Sequence, residues 1–155
     1  MLFYLFAYML MNLAAFSALM ATKRGDRFGE SLEDLSGLGR RRPAVAFAML
    51  VLMLSLAGIP PTIGFFAKFY VFAAAIQAKW YGLAVIGVIN TVIGIYYYIR
   101  VIITMYAYPP DPGVAESESS ALSVALGVAC VCVLALGIFP TPIFNAAVAS
   151  ARVLF

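Results

Sequence analysis

Long apolar runs alternate with short polar breaks along this chain, and the runs have the length of membrane-crossing helices. Residues 2–21, "LFYLFAYMLMNLAAFSALMA", are apolar almost throughout, close to the ~20 residues that cross a ~30 Å hydrocarbon core. Two shorter runs, 44–57 and 63–78, flank an interruption at Gly58, Ile59, Pro60, Pro61 and Thr62. At 1.5 Å per residue they would give roughly 21 and 24 Å of helix, each too short for a full crossing. The interruption offers neither charge nor an aqueous connection. The pattern therefore predicts one discontinuous helix over 44–78, broken at 58–62, with a re-entrant pair as the alternative. Further runs at 81–107 and 121–139 bring the count to four transmembrane elements. The predicted fold class is all-α: a polytopic membrane helix bundle, one domain over 1–155, with one Pro-broken helix.

Composition narrows the class. Hydrophobic residues make up 65% and charged residues 11%, against about 25% charged in soluble domains, and mean hydropathy is +1.00. The formal charge of +3 is no argument for nucleic acid, because six of the ten basic residues sit in one loop, 22–42: Lys23, Arg24, Arg27, Arg40, Arg41 and Arg42. That loop also holds Asp26, Glu30, Glu33 and Asp34, and its "ESLEDL" has room for one or two interfacial helical turns. A basic loop between spans is expected on the cytoplasmic side. Residues 111–120, with three acids and no base, would share that side, because acidic residues count for little in the rule. Lys79 and Trp80 would mark the outer interface by snorkelling and aromatic anchoring, and both termini would then lie outside. The first run has no basic residues before it, so it reads as a retained helix and not as a signal peptide.

Little redox or metal chemistry is available. Cys130 and Cys132 project about 200° apart on a helix and cannot pair with each other. The chain has no histidine, which excludes haem or zinc held by imidazole. With no nucleotide-binding glycine fingerprint, iron–sulfur cysteine cluster or nucleophile–base pair, no metal and no cofactor are expected in this chain.

Lys68 is the sharpest chemical signal. It precedes Lys79 by eleven residues, about 16 Å along a helix, which sets it near the middle of the core. A cation there costs about 2.5–3.5 kcal/mol on insertion scales and normally faces protein or a hydrated cavity. Lysines removed from water can also release a proton near neutral pH, as a carrier must. A lysine that snorkels to a nearer interface is the plainer alternative. The break adds to the signal: Pro60 and Pro61 lack backbone donors, so carbonyls around Ser55 to Gly58 lose intrahelical partners. Such groups survive in a bilayer only where protein or water satisfies them, and transporters use broken helices to line ion paths. A simple proline kink is the alternative there. Ser55 and Thr62 could hydrogen-bond to the freed groups.

Elsewhere, Arg100 reads as an interfacial anchor, with Tyr106 and Tyr108 as an aromatic belt. Asn90 and Thr91 suit interhelical hydrogen bonding. Tyr96, Tyr97 and Tyr98 cannot all face one way at 100° per residue. Ser55, Asn90 and Tyr97 are candidates for lining a path near Lys68.

The motifs "SLAGIPPTIGFFAKFYV" and "GIYYYIRVIITMY", with "DLSGLGRRRPAVA" before them and "LGIFPTP" after, closely resemble the C-terminal part of the subunit N family of bacterial NADH-quinone oxidoreductase, respiratory complex I. The likeness covers essentially the whole chain, and "GFFAKF" matches that family's Gly-Phe pair and lysine just after a helix break. The resemblance implies a partial antiporter-like fold in the bacterial inner membrane, among other membrane subunits, with quinone met only indirectly. It implies that Lys68 is the lysine of the second broken helix, serving the outward half of a proton path, with Pro60 and Pro61 at the break. The family's other central carboxylate and lysines have no counterpart here, so the chain is expected to be a C-terminal fragment that cannot form a whole channel alone. A subunit of a cation/proton antiporter or membrane-bound hydrogenase, and a non-catalytic membrane scaffold, are the alternatives.

Overall fold

A computed structural model of the chain describes residues 2–20, 22–24, 27–28, 31–110, 115–116, 120–142 and 145–146. Asp26, Glu30, most of the acidic 111–120 stretch and the tail with Arg152 lie outside the described residues.

The helices follow the apolar runs. Helix α1 spans Leu2–Met20 with no Gly or Pro to break it. After the first loop come a single 3-10 turn, Leu32–Leu35, and the short α2, Leu38–Arg41. Helix α3, Pro43–Ala57, opens on a proline in its first turn, where the missing N–H costs nothing. Helix α4, Ile63–Gln77, follows the break. A left-handed Lys79 (φ 61°) then turns the chain into α5, Tyr81–Ala107, whose 27 residues extend about 40 Å. Helix α6 is Ser120–Ile138.

One feature is not written in the apolar pattern. Three short strands, β1 (Thr22–Arg24), β2 (Arg27–Phe28) and β3 (Ala115–Glu116), form an antiparallel ribbon in the order β2-β1-β3. Because Thr22 pairs with Glu116 and Lys23 with Ala115, the α1–α3 loop and the α5–α6 loop meet at one end of the bundle, its loop side. Two further contacts tie that end. The Gly37 N–H donates to the Thr104 carbonyl at 3.4 Å, and the Ser36 hydroxyl donates to the Pro109 carbonyl at 2.7 Å.

Helices α3 and α4 lie against successive lengths of α5. Met49 and Met53 of α3 share a cleft with Tyr98 and Val101, while Phe72 of α4 meets α5 at Gly87. Both helices also pack on α1 and α6. The core runs through this contact, with Met11, Leu52, Ile63, Ala67 and Val133 essentially inaccessible. The outer faces are apolar as well: Phe16, Val92, Ile93 and Val131 are among the large exposed side chains. By length and composition, α1 and α5 can each cross a membrane, and residues 43–57, 63–77 and 124–138 form shorter apolar helices.

Candidate functional site

The break begins with a left-handed cap. Gly58 (φ 86°, ψ 40°) ends α3, its N–H donating to Ser55 at 3.0 Å while Ile59 N–H reaches back to Leu54 at 3.0 Å. This is the Schellman arrangement, and it satisfies two of the last carbonyls of α3. The next two, on Leu56 and Ala57, would take the N–H groups of residues 60 and 61 if the helix continued. Both positions are proline, so neither donor exists.

Lys68 supplies both missing bonds. Its Nζ donates to the Leu56 carbonyl at 2.7 Å and to the Ala57 carbonyl at 3.2 Å. A cation at a helix C-terminus is also favourably placed with respect to the helix dipole. The seat is close: a Cβ built on Gly58 would lie 3.1 Å from Lys68 Cδ and 3.5 Å from Nζ.

The start of α4 is fitted against the end of α3. The Gly64 N–H donates to Ser55 Oγ at 3.2 Å, and the Ser55 hydroxyl donates to Met11 Sδ at 2.8 Å. That links α1, α3 and α4 through one side chain. A Cβ on Gly64 would sit 1.8 Å from the Ser55 carbonyl oxygen, so only glycine fits. Gly137 of α6 is equally tight against the break, 2.2 Å by the same measure from the Pro61 carbonyl oxygen. Thr62 does not reach the freed carbonyls and donates to Ile59 O at 2.7 Å.

Beside the lysine lies a cavity of about 280 Å³ between α1, α4 and α5. Its polar lining is Lys68, Tyr4, Tyr8, Asn90, Thr91 and Tyr98. Of the three candidates for lining a path, Asn90 faces this cavity. Ser55 holds the break, and Tyr97 lines a second cleft toward the loop side, where Tyr98 is also found. Tyr4 and Tyr8 escape a reading based on charge and helix breakers, although their spacing of four, continued by Asn12, sets them on one helix face. Lys79 and Trp80 are exposed at the α4–α5 turn. Arg100 is exposed near the loop-side end of α5 and shares a groove with Glu33 and Tyr108.

A bundle of apolar helices with an interruption between α3 and α4, and a lysine seated on that interruption, defines a helical membrane protein. A family model described as NADH:quinone oxidoreductase/Mrp antiporter, transmembrane, matches residues 1–94, and the chain belongs to that family. It is membrane-embedded. NADH-quinone oxidoreductase subunit N of Methylobacterium nodulans is 45% identical over 152 residues, covering 98% of this chain and 31% of that protein. The subunit N of Paramagnetospirillum magneticum is 38% identical over 154 residues, covering 99% of this chain and 32% of its own length. Among solved structures, a chain of respiratory complex I from Thermus thermophilus with bound aureothin is 35% identical. It superposes with a TM-score of 0.78 over 89% of this chain and 31% of that one. The chain thus spans about a third of the length of the relatives it matches.

Proposed function

We propose that the chain is part of a proton-translocating, antiporter-like subunit of NADH-quinone oxidoreductase, and that Lys68 relays the proton. The observation that carries this reading is the seat of Lys68 on the two carbonyls that Pro60 and Pro61 leave without donors. An ammonium has three N–H donors. Two are held by Leu56 and Ala57, and the third is left for the cavity. After that proton leaves, the neutral amine still has two N–H groups for the two carbonyls and offers a lone pair to the cavity. The seat is therefore satisfied in both protonation states.

In this reading α1, the composite α3–α4, α5 and α6 are four crossings of the bacterial inner membrane. The basic 22–42 loop is cytoplasmic, Lys79 and Trp80 lie at the outer interface, and Arg100 lies at the inner one. Other membrane subunits of the complex are the partners, with lipid around them. NADH oxidation and quinone reduction occur elsewhere in the complex and drive the relay.

The test uses inverted membrane vesicles from the host that carries this chain, with NADH-driven proton uptake normalised to assembled complex. Lys68→Ala should abolish uptake. Lys68→Arg is sharper, because a guanidinium keeps the positive charge and the N–H donors but is not deprotonated in proteins. It should assemble and fail to pump. Wild-type pumping by assembled Lys68→Arg would refute the relay. A cation/proton antiporter, which the family description also includes, would show Lys68-dependent exchange that needs no NADH.

A further inference from the structure

The cavity that holds Lys68 reaches toward the end of the bundle opposite the loops. The loop-side ends of α1, α3 and α5 are tied near one level, by the pairing of β1 with β3 and by the bond from Gly37 to Thr104. Depth can be counted from those ends at 1.5 Å per residue. The two carbonyls that seat Lys68 then lie about 20 Å deep on α3, with Tyr8 at about 18 Å on α1 and Tyr98 at about 14 Å on α5. Tyr4 stands at about 24 Å, Asn90 at about 26 Å and Gly87 at about 30 Å, and all three line the same cavity. From its seat Lys68 therefore has open space leading away from the loops, toward the turn that carries the exposed Lys79 and Trp80.

That space is polar. Six of its ten lining residues bring a hydroxyl, an amide or the amine itself, and its volume of about 280 Å³ has room for several waters at ~30 Å³ each. Thr91 donates its hydroxyl to the Gly87 carbonyl at 2.9 Å, which leaves the tyrosines as the hydroxyls able to serve a proton. The Tyr4 and Tyr8 rings lie one helical turn apart, centroids 4.5 Å from each other and planes tilted by 31°. Their hydroxyls interact, and Tyr98 of α5 is within electrostatic reach of both. Helices α1 and α5 flank the cavity, so groups from the two approach each other across it, and the hydroxyls lie in its interior. Of the three phenols, Tyr4 is the one farther from the loops than the lysine seat.

From this geometry we propose that Tyr4 is the outlet through which a proton leaves Lys68 toward the side opposite the loops. The proposal rests on the relay reading of Lys68. An N–H bond of the ammonium breaks as its proton passes to a cavity water, and that water gives one of its own protons to the Tyr4 oxygen. The O–H bond that Tyr4 held breaks at the same time, and its proton goes to a water on the Asn90 side. The phenol stays neutral throughout, the lysine is left as the neutral amine, and one proton has moved outward. Rotation of the hydroxyl resets Tyr4 for the next transfer.

The experiment measures NADH-driven proton uptake in the same vesicles, per assembled complex, for Tyr4→Phe, Tyr4→His, Tyr96→Phe and Lys68→Arg. Tyr4→Phe keeps the ring and removes only the hydroxyl. It should lower uptake by about tenfold or more, in line with loss of a proton-transfer group. Tyr4→His restores a neutral group that can pass a proton, and should recover most of the uptake. Tyr96→Phe removes a hydroxyl from the exposed face of α5 and should pump normally. Wild-type uptake by Tyr4→Phe while Lys68→Arg is blocked overturns the outlet and leaves the lysine relay standing. Equal losses in Tyr4→Phe and Tyr4→His overturn it as well, because the effect then belongs to packing. Wild-type uptake by both Tyr4→Phe and Lys68→Arg removes the relay and the outlet together. Direction is read separately, by labelling Asn90→Cys with a small anionic methanethiosulfonate, the parent chain giving the background from Cys130 and Cys132. Asn90→Cys should react in right-side-out vesicles, and Val92→Cys, on the exposed apolar face of α5, should not. Should Tyr4→Phe fail to assemble, this labelling decides: reaction from the loop side alone, or none, overturns the outlet.

Discussion

Replacing Gly64 by alanine opposes two effects of opposite sign, and the geometry decides between them. Gly64 lies in the first turn of α4, and alanine is favoured over glycine in a helix by about 1 kcal/mol. On propensity alone Gly64→Ala should stabilise the protein. The added Cβ, however, would stand 1.8 Å from the Ser55 carbonyl oxygen, where ordinary contact begins at 3.4 Å. The shortfall is 3.4 minus 1.8, or 1.6 Å. Both the carbonyl and the new Cβ are fixed to backbone, so no rotamer change relieves the overlap. The two helices must separate. Lys68 is long enough to follow, but the Gly64 N–H is not. Its 3.2 Å bond to Ser55 Oγ would open toward 4.8 Å, leaving a buried donor unsatisfied at a cost of about 1–3 kcal/mol. Ile63 and Ala67, both fully buried, would move with α4 and strain the core by about 1–3 kcal/mol more. The net expectation is a loss of roughly 1–5 kcal/mol. Thermal aggregation of the full chain extracted in detergent measures it, with Gly82→Ala as the control. Gly82 has nothing within 4 Å of its built Cβ, so that variant should be neutral or slightly stabilised. If Gly64→Ala melts at or above the parent temperature, α3 and α4 do not abut as described, and the seat of Lys68 loses its foundation.

Two further substitutions probe the same logic, one at the C-terminal cap of α3 and one at the N-terminal cap of α2. Gly58→Ala combines a left-handed backbone, costing about 1–2 kcal/mol for a residue with a Cβ, with a methyl group 3.1 Å from Lys68 Cδ. The chain should still assemble with reduced NADH-driven proton uptake, and unaltered uptake would show that Lys68 does not depend on this cap. Gly37→Ala would drive a Cβ to within 2.5 Å of the Pro110 backbone at a φ of 64°. It should loosen the loop from the end of α5 and speed proteolytic cleavage within residues 31–42, and an unchanged digestion pattern would count against that contact.

The long helices were readable because each is an apolar run bounded by polar or proline-rich breaks. The small ribbon was not, since its strands have two or three residues each, too few to show an alternating pattern. It depends on pairing between loops about ninety residues apart, Thr22 with Glu116. At the site, Lys68 and the proline pair stand out in sequence because they violate the surrounding composition. What the sequence left broad was which carbonyls are freed. Any between Ser55 and Gly58 would serve, and the backbone conformation at Gly58, whose N–H turns back to the Ser55 carbonyl, removes Ser55 from the set. Tyr4, Tyr8 and Asn12 were hidden for the opposite reason: aromatic and amide residues are ordinary in such a helix. The choice of Tyr97 over Tyr98 was a matter of register. Counting from Thr91 at intervals of three and four reaches Gly94 and then Tyr98, so the polar face of α5 already pointed to the later tyrosine.

The pairing of two prolines with one lysine follows from donor arithmetic. One proline would vacate a single carbonyl, which water or a hydroxyl could satisfy without a charged group. Two consecutive prolines vacate two adjacent carbonyls at the end of α3, and in a bilayer each unsatisfied group costs several kcal/mol. An amine can serve both at once, as Lys68 does at 2.7 and 3.2 Å. Serine or threonine has only one donor, and here both nearby hydroxyls are committed elsewhere, Ser55 to Met11 and Thr62 to Ile59. The bonds to the carbonyls use the two donors that lysine retains when neutral, so a change of charge need not dismantle the fold around it. The break is thus better described as a fixed seat than as a hinge. Gly58, Gly64 and Gly137 close in on it from three helices, so that in the proposed relay the proton moves while the backbone stays.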